Sequence, residues 1–233
     1  MVTFVIGLTL VLGVPGVSPA IFWLLDFLLG RPMLAPDKVQ QVHSIVLTPL
    51  AILVAAALYG WLGRRIDHGD APPPLPWRPP AGLGALVGEV ALGILVAIAG
   101  SYILALVMQA LGAPVSEQRL VLELTASGDL RRPELATLVL SALVLAPVGE
   151  ELFFRRLLLR RTWQRGGAVA GYLASALLFA AFHGNLQGFV VYAWLGLVFA
   201  RTYARTGRIG AAIAVHFGNN AITLAMLVLA DRA

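Results

Sequence analysis

The sequence predicts an all-α protein, a polytopic bundle of about seven transmembrane helices. Of the 233 residues, 59% are hydrophobic and only 12% are charged, which is about half of the ~25% charge of a soluble domain. Apolar stretches of about 18 residues or more recur along the chain, and each is long enough to cross ~30 Å of hydrocarbon as a helix.

Seven segments have the length and hydropathy of a span. We expect a kink in the first, because Gly13 and Pro19 interrupt it, and an eighth span hidden there is the alternative. A proline-rich loop at 71–80 must be extended, since proline has no N–H to donate. We divide the chain into N-terminal helices and loops, 1–133, and a core of the last four spans, 134–230. The predicted spans cover roughly 1–29, 44–62, 81–111, a segment that starts near 134 and continues through Pro147 and Arg155 to an arginine-rich end, 168–183, 186–203 and 209–230.

The formal net charge of +5 is explained by the membrane rather than by nucleic acid. The arginines flank apolar spans, as the positive-inside rule predicts for cytoplasmic loops. We therefore expect the lipid bilayer as a partner, no nucleic acid, and a cytoplasmic N-terminus. An arginine-rich, lysine-poor composition is typical of a GC-rich bacterial genome, so we expect the bacterial plasma membrane. The loops after spans two, four and six hold Arg64, Arg65, Arg78, Arg155, Arg156, Arg160, Arg161, Arg165, Arg201, Arg205 and Arg208.

Ionisable residues inside apolar spans are functional candidates, because burying them is expensive. Asp26 and Glu89 stand apart from other polar residues, and we expect them to have structural or interfacial roles. The remaining candidates form three groups along the chain. Cysteine is absent, which excludes disulfides, thiolate zinc sites and a cysteine nucleophile.

The first group lies in the fourth span. Glu151 and Arg155 are four residues apart and share a helix face, in the order that favours an ion pair. Glu150 is rotated by about 100° from Glu151 and points elsewhere. Pro147 and Gly149 should loosen the helix and admit water or a substrate backbone. The simpler alternative is a solvated helix end.

The other two groups repeat the four-residue spacing. Phe179 precedes His183 in the fifth span, and His216 precedes Asn220 in the seventh, where an imidazole and an amide share one face. Each histidine taken alone fits a hydrogen-bonded core residue. Three spans that each offer a catalytic type of group favour an active site.

Three familiar protease signatures are missing from the sequence. There is no His-Glu-x-x-His for a zinc site on one helix. Ser127 and Asp129 lack the Gly-x-Ser-Gly and Gly-x-Gly-Asp settings of intramembrane serine and aspartyl proteases.

The ordered set Glu150-Glu-x-x-x-Arg155, Phe179-x-x-x-His183 and His216-Phe-x-x-Asn220 resembles the CAAX-processing and bacteriocin-processing intramembrane proteases, relatives of the type II CAAX prenyl endopeptidase. The resemblance covers about residues 138–229. It implies that Glu150 and His183 hold and activate a water, that His216 and Asn220 stabilise the oxyanion, and that Glu151 and Arg155 support the site. The substrate would be a peptide or a membrane protein.

The cofactor and the function class have alternatives at this point. Glu150, His183 and His216 would suit a catalytic zinc ion, but they suit a metal-free, glutamate-activated water equally, and we favour the latter. A transporter would favour internal repeats and paired broken helices, and neither is visible. An inactive scaffold or immunity protein is the third alternative, although all motif residues are present.

The predicted boundaries leave the three groups at different depths. At 1.5 Å per residue, Glu150 lies about 16 Å, His183 about 22 Å and His216 about 10 Å from the cytoplasmic ends of their spans. Helix tilt or a shifted boundary would have to bring them together.

Overall fold

The structure is a computed structural model that describes residues 27–28, 30, 49–50, 52–54, 56–57, 61, 82–116 and 133–230. Every regular element within these residues is helical, which confirms the predicted all-α class. The predictions for Asp26, for the proline-rich loop and for most of the first two spans lie outside the described residues.

Six α-helices follow one another along the described chain. Two π-helical segments, Ser141–Leu145 and Glu151–Leu159, flank the third of them. The α-helices are α1 (Leu83–Ala110), α2 (Pro133–Leu140), α3 (Ala146–Glu150), α4 (Arg160–Phe182), α5 (Phe189–Thr206) and α6 (Ile209–Ala230).

By length and composition, three helical stretches among the described residues can cross a membrane: Leu83–Ala110, Ala136–Phe182 and Ile209–Leu229. The protein is therefore a membrane protein. The helix α5, predicted as the sixth span, is less apolar because Arg201 and Arg205 lie in its last turns. The count of seven or eight spans stays a prediction.

The chain divides into two compact units. The first combines Met1–Ala71 with Arg131–Phe153, and the second combines Pro72–Leu130 with Phe154–Ala233. The division into residues 1–133 and 134–230 also stays a prediction.

In the first unit, the helix around Pro147 continues without a break. The N–H of Ala146 bonds to the carbonyl of Ser141, a π-helical bond that accommodates the donor missing at Pro147. Gly149 lies against the second predicted span, since a Cβ there would come within 3.1 Å of Leu53 Cγ. The face of Gly149 that we expected to admit water or substrate is thus covered by a side chain.

In the second unit, α4 reverses direction at Gly167. Its φ of 82° and ψ of 178° interrupt the helix, and glycine adopts this left-handed φ without steric cost. Trp163 then packs on Gly171, and the Ser175 hydroxyl donates to the Phe154 carbonyl across 3.0 Å. The interruption falls just before residue 168, where the fifth span was predicted to begin; the division into two spans stays a prediction.

The helix α1 packs on α5 and α6 where its glycines leave room. A Cβ on Gly93 would lie 2.7 Å from Val215 Cγ2, and one on Gly100 would meet the Trp194 ring at 2.2 Å. The Trp194 indole donates to the Val96 carbonyl across 3.2 Å. Small residues that allow helices to approach closely are typical of membrane bundles.

Glu89 does not stand alone, which corrects the expectation from the sequence. Arg205 donates to its carboxylate at 2.8 and 3.2 Å, and Arg201 lies 3.5 Å from it. The hydrogen bond to Glu89 raises the pKa of Arg205 above its usual value. Glu89 thus ties α1 to the end of α5.

The arginine-rich turns around Gly167 and Gly207 lie at the same end of the second unit. Trp163, Tyr172 and Ile209 pack against one buried cluster there. Gly207, with φ 65°, ends α5 in the left-handed conformation, a common helix terminus. Arg155, grouped with the loop arginines above, is instead fully buried. The cytoplasmic assignment of this end stays a prediction.

Candidate active site

The ring of Phe179 is the centre of the candidate site in the second unit. It lies on the inner face of α4 and is buried. Its centroid is 4.5 Å from that of His183 and 5.8 Å from that of His216. Residues from two of the three sequence motifs therefore meet on one aromatic side chain.

His183 caps α4 and is held on two sides. Its Nδ1 lies 2.8 Å from the Phe179 carbonyl, and because a carbonyl only accepts, Nδ1 carries the hydrogen in this bond. In the neutral ring, Nε2 is then the basic nitrogen. The other face of the imidazole stacks on Tyr192, with centroids 4.1 Å apart and planes at 24°.

His216 lies on α6 and is almost completely buried, with 3% of its surface exposed. Its ring stacks on Phe199 at 4.5 Å and 20°, while its contact with Phe179 is edge-on at 73°. The imidazole thus contacts aromatic rings from both α4 and α5.

Arg155 is fully buried within the second unit. Its guanidinium donates to the Gly196 carbonyl across 3.2 Å. The guanidinium carbon lies 4.6 Å from the Phe179 centroid and 5.3 Å from that of Phe199, within the range of a cation–π interaction. The same two rings therefore contact Arg155 and His216.

Asn220 has a neighbour that the sequence motif does not include. The buried Asn219 donates its amide N–H to Asn220 Oδ1 across 3.2 Å. This bond fixes which end of the Asn220 amide is oxygen, and so directs its NH₂ group, the donor that an oxyanion would need.

Glu150 and Glu151 belong to the first unit, where both side chains are buried, with 6% and 0% of their surfaces exposed. Burial of two neighbouring carboxyl groups fits the expectation that they are functional and not at a solvated helix end. Their approach to the two imidazoles stays a prediction.

Three hydrogen bonds hold the turn after His183 in place. The Asn185 amide donates to the Ser116 carbonyl across 2.8 Å and accepts from the Gly188 N–H at 3.0 Å. The Ser116 hydroxyl in turn donates to Gln187. These bonds connect the turn to the chain after α1.

In the described part of the chain, no group of three His, Asp or Glu side chains is arranged to bind a metal ion. The Nδ1 atom of His183 bonds to a backbone carbonyl, so Nε2 is the nitrogen with which this ring would bind a metal.

The two histidine motifs were predicted to lie at different depths, and Phe179 connects them. This residue lies one helical turn before His183, and its ring contacts His216.

The sequence alone did not identify four residues of the candidate site: Tyr192, Gly196, Phe199 and Asn219. The first three lie on α5, which carries no motif. Their i, i+4, i+7 spacing places them on one helix face, but such spacing is common in any apolar helix. Nothing in the sequence distinguishes this face from one that contacts lipid.

Two comparisons with known proteins support the resemblance. Residues 132–222 match the family described as type II CAAX prenyl endopeptidase Rce1-like. The chain is 28% identical over 89 residues to a protein of Bacillus subtilis (strain 168) named "Putative membrane peptidase YdiL". The resemblance predicted from the three motifs is confirmed for this part of the chain.

The comparisons cover only part of each protein. The aligned region is 38% of this chain and 36% of the Bacillus protein. No solved structure matches the chain.

Proposed function

We propose that this chain, whose residues 132–222 are similar to the type II CAAX prenyl endopeptidase Rce1-like family, is an endopeptidase that works within or near the membrane. The observation that carries the proposal is the packing of His183, His216 and Arg155 around Phe179. Ionisable groups gathered in an apolar setting are costly, and such sites are functional by default.

The proposed reaction is hydrolysis by an activated water. Glu150, assisted by His183, removes a proton from the water as its oxygen attacks the carbonyl carbon of the peptide. The C–N bond then breaks, and the proton passes to the leaving amine. A carboxylate beside an imidazole is a suitable general base near neutral pH. Glu151 and Arg155 support these groups.

His216 and Asn220 are the proposed donors to the tetrahedral oxyanion. An imidazole N–H and an amide N–H, both held in place before the reaction, stabilise the charge that develops on the attacked oxygen. The stacking of His216 on Phe199 and the bond from Asn219 to Asn220 support this assignment, because each restricts the orientation of a donor.

We propose that this chemistry needs no metal. Activity should survive treatment with 1,10-phenanthroline, and purified protein should contain much less than one zinc ion per chain. If chelation abolishes activity and zinc restores it, Glu150, His183 and His216 are metal ligands, and the proposed metal-free activation of water by Glu150 and His183 is wrong.

The proposal is tested with internally quenched peptides and the full chain in detergent. Wild type should cleave and Glu150→Ala should not. Glu89→Gln is the matched control, since it neutralises a carboxyl group outside the three motifs. Its ion-pair partner Arg205 is exposed, so the loss of this pair should cost little stability, and the variant should cleave like wild type. Equal cleavage by Glu150→Ala, or no cleavage by a folded wild type, would contradict the proposal.

A further inference from the structure

We infer that α5, which contains none of the three motifs, is the element that orients both imidazoles and Arg155. The inference rests on the proposed function. Three of its residues, Tyr192, Gly196 and Phe199, form what we name the α5 positioning face. They are positioning residues, because each acts on the reaction through another side chain.

One face of α5 reaches all three groups. Tyr192, Gly196 and Phe199 follow the i, i+4, i+7 spacing that aligns residues along a helix. Tyr192 stacks on His183 at 4.1 Å, and Phe199 stacks on His216 at 4.5 Å. Between them, the Gly196 carbonyl accepts the hydrogen bond from Arg155 at 3.2 Å.

Each imidazole contacts two aromatic rings, one on α5 and that of Phe179. His183 meets Tyr192 at 4.1 Å and Phe179 at 4.5 Å, while His216 meets Phe199 at 4.5 Å and Phe179 at 5.8 Å. Rotation of either imidazole about its Cβ–Cγ bond would lose these contacts. Aromatic pairs of this kind stabilise by about 0.5–1.5 kcal/mol beyond their buried area.

The close approach of α5 to α4 depends on Gly196. A Cβ at this position would lie 2.8 Å from the Ala176 Cα and 3.1 Å from its carbonyl oxygen, so a larger residue would push the helices apart. The absence of a side chain also leaves the Gly196 carbonyl accessible to the guanidinium. The glycine therefore sets the distance between α5 and α4, and with it the distance at which Tyr192 meets His183.

Each stacking ring should orient only its own histidine. This expectation distinguishes a positioning role from a general effect on the stability of the fold. Loss of Tyr192 should alter mainly His183, and loss of Phe199 mainly His216. A merely structural defect would alter both together.

The test uses NMR spectroscopy of the full chain, isotopically labelled at histidine, in detergent micelles. The sequence has only four histidines, so the ring signals of His183 and His216 can be assigned with His183→Gln and His216→Gln. We expect Tyr192→Leu to shift the ring protons of His183 much more than those of His216, and Phe199→Leu to do the reverse. Phe189→Leu, which removes another aromatic ring from the same helix, should leave both sets of signals in place.

Tyr192→Phe keeps the ring and removes only the hydroxyl group. It should retain the His183 signals and wild-type kcat, whereas Tyr192→Leu should lower kcat by about 10- to 100-fold with little change in KM, since a small misplacement of a reacting group has effects of this size.

Several outcomes would overturn the inference. These are His183 signals that stay unchanged in a folded Tyr192→Leu, equal shifts at both histidines in each variant, or a Tyr192→Phe that shifts His183. The last outcome decides the matter even where the leucine variants do not fold. The NMR result does not require turnover, so a wild type that cleaves nothing but shows the reciprocal shifts would contradict the proposed function and leave the positioning intact.

Discussion

Arg155 shows how a full charge is retained in an apolar unit. Its guanidinium donates to the Gly196 carbonyl and lies over the rings of Phe179 and Phe199. A hydrogen bond from a charged group contributes about 1.5–3 kcal/mol, and a desolvated cation–π contact about 2 kcal/mol. Arg155 therefore contributes to stability as well as to the geometry of the site.

We predict that Arg155→Ala lowers both stability and activity. The loss of these contacts should reduce Tm in detergent by roughly 5–15 °C for a protein of this size. Arg156→Ala is the matched control, because this neighbouring arginine is exposed, and its Tm should stay within a few degrees of wild type. An unchanged Tm with lost activity in Arg155→Ala would instead assign the arginine to substrate binding.

A second prediction concerns the oxyanion donors. Asn220→Ala should lower kcat by about 10²–10³-fold with little effect on KM, because the lost donor acts on a charge that develops only during the reaction. Asn219→Ala should lower kcat less, because the Asn220 amide remains and loses only the hydrogen bond that orients it. A rise in KM at constant kcat would make Asn220 a substrate-binding group. Zinc content that falls together with activity would make it part of a metal site.

The sequence identifies charged site residues better than it identifies their neighbours. His183, His216 and Arg155 are conspicuous because ionisable groups are rare in apolar spans. Tyr192 and Phe199 are ordinary aromatic residues of an apolar helix, and only the fold brings them to the imidazoles. Glu89 was misjudged for the same reason, since its partners lie 112 and 116 residues further along the chain.

At the scale of elements, glycines determine how closely the helices pack. We predict that Gly196→Ala destabilises the protein by about 1–3 kcal/mol, the usual range for overpacking, and lowers activity through displacement of α5. Gly210→Ala is the matched control on α6, because a Cβ there would meet nothing within 4 Å. It should be neutral or slightly stabilising, since alanine favours helix formation. Equal Tm values for the two variants would contradict the account of the α4–α5 contact.

The boundaries of elements were predictable where the chain contains strong local signals. Two glycines at 166–167 mark the reversal of α4, and Gly207 marks the end of α5. The π-helical segments around α3 were not predicted. Hydrophobic spacing does not distinguish i→i+4 from i→i+5 bonding over so few residues, although Pro147 signals that the regular helix is disturbed there.

At the scale of the whole molecule, the arginine-rich end should face the cytoplasm. The absence of native cysteine makes this measurable with single introduced cysteines. In intact bacterial cells, a membrane-impermeant maleimide should label Leu186→Cys, in the turn between α4 and α5, but not Arg165→Cys at the other end of α4. Arg165→Cys should be labelled after lysis. The reverse pattern would invert the predicted orientation.

The overall architecture could be predicted only in part. Composition and hydropathy predicted a helical membrane protein, because span length and charge content follow directly from the bilayer. The three motifs predicted the catalytic segment, which the match of residues 132–222 supports. The packing of α1 against α5 and α6 could not be predicted, since it depends on which glycines face which helices.

The most direct test of the central claim, hydrolysis by a glutamate-activated water, is the turnover of Glu150→Gln. Glutamine preserves the size of the side chain but cannot accept the proton, so kcat should fall by at least about 10²-fold while Tm stays at the wild-type value. Glu89→Gln, measured alongside, should keep wild-type kcat. A folded Glu150→Gln that retains more than about a tenth of wild-type activity would remove Glu150 as the general base and contradict the account.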